Sequence, residues 1–77
     1  MITNLQIRAA RALLGWSQQR LADEAGVSVI TVKRLEAQED DFRARYDIVM
    51  KVKAAVERAG VEVLGEGFSH GVQLKRR

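Results

Sequence analysis

Residues 17–36, SQQRLADEAGVSVITVKRLE, decide the fold of this chain. Ser17 and Ser28 each stand where a side-chain oxygen can accept a hydrogen bond from the exposed N–H groups of a helical first turn. The residue before each serine is apolar and is matched five positions on, Trp16 with Leu21 and Val27 with Val32, which is the spacing of a hydrophobic staple. Between the two segments, Gly26 can take the positive φ that a short turn between steeply crossed helices demands, and Ala22 is small enough to let the helices approach. The spacing therefore predicts a helix over Gln18–Ala25 and another over Val29–Ala37.

On the second of these helices the period directs Val32 and Leu35 inward with Thr31 at the boundary, leaving Val29, Ile30, Lys33, Arg34 and Ala37 on the outer face. Exposed β-branched aliphatics clustered beside two cations are informative, because a merely solvated surface has no use for the aliphatics. A DNA major groove satisfies both kinds. Arg34 can make a bidentate contact to guanine O6 and N7, Lys33 can meet phosphate or guanine, and Val29 or Ile30 can pack on thymine methyls. The competing reading has the aliphatics covered by a loop or a second subunit and the cations solvated. Neither helix opens with an acid, although the helix dipole favours one there. An incoming phosphate can supply that charge, met by Gln18, Ser28 or Thr31 together with backbone N–H groups, or the serine caps and water suffice.

Outward from this stretch the same signals recur. Thr3 and Gln6 form a capping box with Ile2 and Ile7 as its staple, starting a helix that runs to Leu14 and stops at Gly15. Leu5, Ala9, Ala12 and Leu13 follow the helical period, and Ile7, Ala10 and Leu14 widen the stripe, so the helix is expected to be covered on more than one side. After Ala37 comes a polar stretch in which Phe42 and Tyr46 are the expected core anchors. Asp47 is expected to cap a fourth helix with a stripe of Ile48, Val49, Val52, Val56 and Ala59, ended by Gly60. Val61, Val63, Val72 and Leu74 alternate with polar residues on either side of GEGFSHG, the pattern of two short strands joined by a glycine-rich loop. Such a hairpin is marginal alone and must lie on the helices or pair with another chain.

Composition bounds the rest. A chain of 77 residues buries only about 60 to 65% of its unfolded surface, so its stability margin is modest. The net charge is +3 and the isoelectric point about 9.8. Up to Arg34, the bases Arg8, Arg11, Arg20, Lys33 and Arg34 face only Asp23 and Glu24, whereas eight acids and eight bases balance from Leu35 onward. The positive excess thus sits with the helix pair, where a polyanion would find it. There is no cysteine, which excludes disulfides and thiolate metal sites and suits a reducing compartment. No apolar run is long enough to span a membrane and no signal peptide is evident, so a soluble, cytoplasmic protein is expected. His70 is the single histidine and has no partner for a metal site or nucleophile dyad. GEGFSHG has neither the spacing nor the setting of a dinucleotide or phosphate-binding loop. Trp16 is better explained as a staple than as a stacking platform. Neither catalysis nor a cofactor or metal is expected.

The segment IRAARALLGWSQQRLADEAGVSVITVKRLEA, from Ile7 to Ala37, resembles the lambda-repressor-like helix-turn-helix family, the Cro/CI-type or xenobiotic-response-element regulators. The resemblance rests on Arg11, the LGWSQ start of the second helix, Leu21-Ala22, AGVS at the turn, Val32, and RLE at the end of the third. More loosely, AAVERAGVEV and GVQLKRR look like the tail of small phage-related members. The resemblance implies that Gln18 meets a phosphate, that Val29, Ile30, Thr31 and Arg34 face bases, and that Arg11 pairs with Glu36 across the first and third helices. Three positions depart from the pattern. Gln38 stands where glycine is usual after the third helix. Arg20 replaces an acid in the first turn of the second, which would add affinity without sequence information. Glu39, Asp40 and Asp41 place an acidic run beside the third helix.

Together these readings predict a mainly α fold, a four-helix lambda-repressor-like helix-turn-helix domain (1–60) with a short C-terminal β-hairpin and basic tail (61–77) belonging to the same domain. They imply a sequence-specific regulator of double-stranded DNA, most simply a repressor, acting as a homodimer through the hairpin edge or the fourth helix. The alternative is a protein-interaction module of the same fold, an antitoxin or anti-repressor, reading little DNA itself.

Overall fold

The computed structural model describes residues 2–37, 46–64 and 71–75. Within them the chain forms α1 (Asn4–Leu14), α2 (Gln18–Ala25), α3 (Val29–Ala37), α4 (Tyr46–Arg58), β1 (Val61–Leu64) and β2 (Gly71–Leu74). The mainly α fold of four helices with a C-terminal antiparallel hairpin is as expected, and the bounds of α2 and the start of α3 coincide with those the sequence predicts.

Local chemistry sets the helix ends. The Thr3 hydroxyl accepts from the Gln6 N–H while the Gln6 side chain accepts from the Thr3 N–H, completing the capping box. Ser17 accepts from the Arg20 N–H at 3.0 Å and Ser28 from the Thr31 N–H at 3.1 Å. Both helix–helix turns close alike: the N–H of the residue after the glycine returns to a carbonyl of the last turn, Trp16 to Arg11 and Val27 to Ala22, with Gly15 and Gly26 at φ 68 and 72°. This is the Schellman arrangement, and its left-handed residue favours glycine.

The core holds Ile7 and Ala10 from α1, Leu21, Ala22 and Ala25 from α2, Val32 from α3, Val49, Val52, Ala55 and Val56 from α4, and Val61 from β1, with Ile2 at its edge. Trp16, Val27, Val29 and Leu35 pack partly against it. The hairpin pairs Val61 with Leu74 and Val63 with Val72. It is fastened to α1 through Gln6, a side chain only 1% exposed. The Gln6 Nε2 donates to the carbonyls of Leu64 and Gly71, so one amide joins the first helical turn to both strands.

Several expectations are corrected. The row Leu5, Ala9, Ala12 and Leu13 is exposed, Leu5 at 66%, and α1 buries Gln6, Ile7 and Ala10 instead. A single helix face cannot hold both rows, and the hairpin contacts of Gln6 choose the other one. Tyr46 is 68% exposed at the start of α4 and anchors nothing in the core. Asp47 lies inside the first turn of α4, where its charge complements the helix dipole. On α4, Ala55 is buried and Ile48 half-buried, while Ala59, just past the end of the helix, is exposed. Leu74 is exposed despite the strand alternation. The expectations for Gln38, Glu39, Asp40, Asp41, Phe42, the GEGFSHG loop up to His70, and Arg76-Arg77 lie outside the described residues.

Gln6→Ala removes the acceptor and both donors of the amide. Each intramolecular bond is worth roughly 1 kcal/mol net, so urea unfolding is expected to show a loss of about 2 to 3 kcal/mol with the m-value unchanged.

Candidate nucleic-acid interface

The outer face of α3 is set by what its inner face must bury. Val32 is fully buried and Leu35 partly, which turns Ile30, Lys33, Arg34 and Ala37 to solvent. Ile30 is 64% exposed beside the two cations. Val29 departs from the expected outer face, because its side chain is half-buried and packs against the core. Thr31 is half-buried, and its hydroxyl is engaged with that of Ser28 at 2.8 Å. Neither α2 nor α3 carries an acid in its first turn.

The position of α3 is fixed by a charge pair. Arg11 Nε donates to Glu36 Oε2 at 2.7 Å and a terminal Arg11 nitrogen to Oε1 at 2.8 Å, a two-bonded fork across α1 and α3. The other terminal nitrogen donates to the Trp16 carbonyl at 3.1 Å, in the turn between α1 and α2. Gln18 Nε2 reaches Glu36 Oε1 at 3.2 Å, and Asn4 Nδ2 donates to the Glu36 carbonyl at 3.4 Å. The Glu36 side chain is only 4% exposed, so without these donors it would be a buried bare charge. The hydrogen bond to Glu36 holds the Arg11 pKa above its ordinary value against the opposing effect of burial, with the charge of Glu36 adding to it. The predicted pair is present, and it recruits Gln18, which sequence reasoning had directed at a phosphate.

Arg20 lies at the start of α2, bonded to Glu24 at 2.9 Å and set 5.2 Å from the centre of the Trp16 ring. Its side chain stays 56% exposed, and exposed pairs of this spacing are worth only about 0.3 to 0.5 kcal/mol. It can therefore exchange Glu24 for another anion at little cost. Arg8 was assigned no role from sequence. It joins Arg11, Gln18, Lys33, Glu36 and Ala37 around an open cleft of about 260 Å³ between α1, the start of α2 and the last turns of α3. The signal that could have found it was the i, i+3 spacing of Arg8 and Arg11 on one side of α1.

Residues 7–44 match a family model described as helix-turn-helix. That segment carries α1 from Ile7 onward, α2 and α3 with the glycine turn between the last two, and the match supports a DNA-binding helix-turn-helix regulator. The family is a regulatory one and usually non-enzymatic. No curated protein matches the sequence.

Removing one member of the buried pair strands the other. Arg11→Ala and Glu36→Ala are each expected to cost about 3 kcal/mol in chemical denaturation, and the double variant Arg11→Met/Glu36→Leu to recover most of that loss.

Proposed function

We propose that this chain is a sequence-specific transcriptional regulator that lays α3 in the DNA major groove. One observation carries the reading: exposed Ile30 shares the outer face of α3 with exposed Lys33 and Arg34. That combination suits a groove lined with thymine methyls and guanine acceptors and flanked by phosphates. Arg34 is assigned to guanine and Ile30 to a thymine methyl, with Val29 and Thr31 contributing only through the parts of their side chains left open. Gln18, Arg20 and Ser28 are assigned to the backbone. Arg11 and Glu36 are structural, holding α3 at its angle.

A single helix of this kind spans only a few base pairs, so the regulator is proposed to act as a homodimer on an inverted repeat with half-sites about one helical turn apart. Repression by occlusion of a promoter, in the cytoplasm and in the manner of small phage-related regulators, is the simplest mechanism.

The test is binding to the DNA upstream of its own gene at low salt. Arg34→Ala is expected to lose about 1 to 3 kcal/mol of discrimination at one base pair of each half-site, read by titrating single-substituted duplexes. Arg20→Ala should instead weaken all duplexes alike and flatten the dependence of affinity on salt. Absence of binding to that DNA at low salt overturns the reading.

A further inference from the structure

The cleft beside α3 points to a second assignment, which rests on the DNA-binding reading above. We propose that Arg8 and Lys33 clamp one backbone phosphate in this cleft, so that Lys33 holds the duplex in register and reads no base. Among the described residues three cations line it, from two helices far apart in sequence, and only one of them, Arg11, is paired with an acid. Glu36, the single acid among the described residues of the lining, is engaged by two bonds from Arg11 and one from Gln18. Arg8 and Lys33 are both exposed and, among the described residues, have no hydrogen bond or ion pair. Among the described residues, the cleft therefore keeps two uncompensated positive charges bordering an open volume with a polar lining.

Its place relative to α3 identifies the anion. Lys33 and Ala37 lie one turn apart on α3 and border the cleft, while Ile30 lies a turn before Lys33 on the exposed face. The cleft is thus continuous with the edge of the face assigned to bases. A helix in the major groove is flanked by the two phosphate backbones, because the groove is only about 12 Å wide and the helix with its side chains nearly fills it. The backbone on the α1 side then passes over Arg8 and Lys33. Arg34 is one residue on, about 100° around the helix, and does not line the cleft. A cation pair of this kind supplies affinity and register but no sequence information.

The test compares the whole chain with R8Q, K33Q and R8Q/K33Q on two duplexes, a site selected from random sequence by the wild-type protein and an unrelated duplex of equal length. Both substituted residues are exposed, and thermal melts verify that folding is retained. The expected result is an equal loss of affinity on both duplexes, with the double variant lowering the slope of log K against log salt by about 0.9, the value for one phosphate. A scan with single neutral methylphosphonates should find one position per half-site at which the wild type loses affinity and R8Q/K33Q loses nothing further. If the wild type binds but the double variant keeps the full slope, or if K33Q alters the preferred base at any position, the clamp is overturned while the DNA-binding reading stands. A saturable response of the Arg8 and Lys33 resonances to inorganic phosphate, with no methylphosphonate-sensitive position, would make this a free-anion site and equally overturn it. If the wild type binds no duplex at low salt, both readings fall.

Discussion

The buried carboxylate of Glu36 is the constraint around which the helices are arranged. It sits near the end of α3 at 4% exposure and needs donors from outside its own helix. They come from Arg11 on α1 and Gln18 at the start of α2, while Asn4 takes the backbone carbonyl of the same residue. Arg11 in turn spends a further donor on the turn at Trp16. Apolar contacts among Ile7, Leu21 and Val32 would tolerate some sliding, because dispersion is non-directional. A forked guanidinium–carboxylate pair does not. An apolar replacement could be equally stable, so the pair is better understood as fixing the angle of α3 than as adding net stability.

This explains which parts of the fold were legible in the sequence. Helix ends are local, and Thr3, Ser17, Ser28, Gly15 and Gly26 each satisfy backbone groups a few residues away, so their pattern alone placed α1, α2 and α3. The two strands of the hairpin were legible for the same reason, since alternation needs no distant partner, although the pairing register was not. The buried face of α1 was not. Leu5, Ala9, Ala12 and Leu13 make as good a helical stripe as Ile7, Ala10 and Leu14, and hydrophobic count favours the wrong one. The choice is made by polar residues. Gln6 and Arg11 must lie on the inward side to reach the hairpin carbonyls and Glu36, and a reading that treats polarity as a sign of exposure cannot anticipate that.

The candidate site was legible to the extent that it follows from helical period. Ile30, Lys33 and Arg34 face outward as the spacing predicts, but Val29 does not, because the first turn of α3 sits close enough to the core for that side chain to pack on it. Gln18 shows a second limit. A polar residue at a helix start reads equally as a ligand for a phosphate and as a donor to a buried acid, and here the acid was eighteen residues away. Only tertiary placement reveals the second role, which stands beside the phosphate contact proposed for Gln18. Arg8 was missed because its significance is relational, arising only when α3 brings Lys33 across from it.

Lys33 and Arg34 show how much one residue of spacing can separate. Adjacent in sequence and both cationic, they read alike as candidates for phosphate or guanine. A rotation of about 100° between them puts Lys33 at the lip of a cleft shared with α1 and leaves Arg34 outside it. Charge alone cannot distinguish the two, because both are exposed. Their neighbours can. Lys33 shares the cleft with Arg8 and the Arg11–Glu36 pair, a setting that attracts any anion irrespective of its identity. Arg34 keeps a planar fork whose two parallel donors match the paired acceptors of a guanine edge, a match the ammonium of Lys33 cannot reproduce. On the proposed reading, affinity and sequence preference are thus carried by consecutive residues, and the helical twist between them is what keeps the two functions apart.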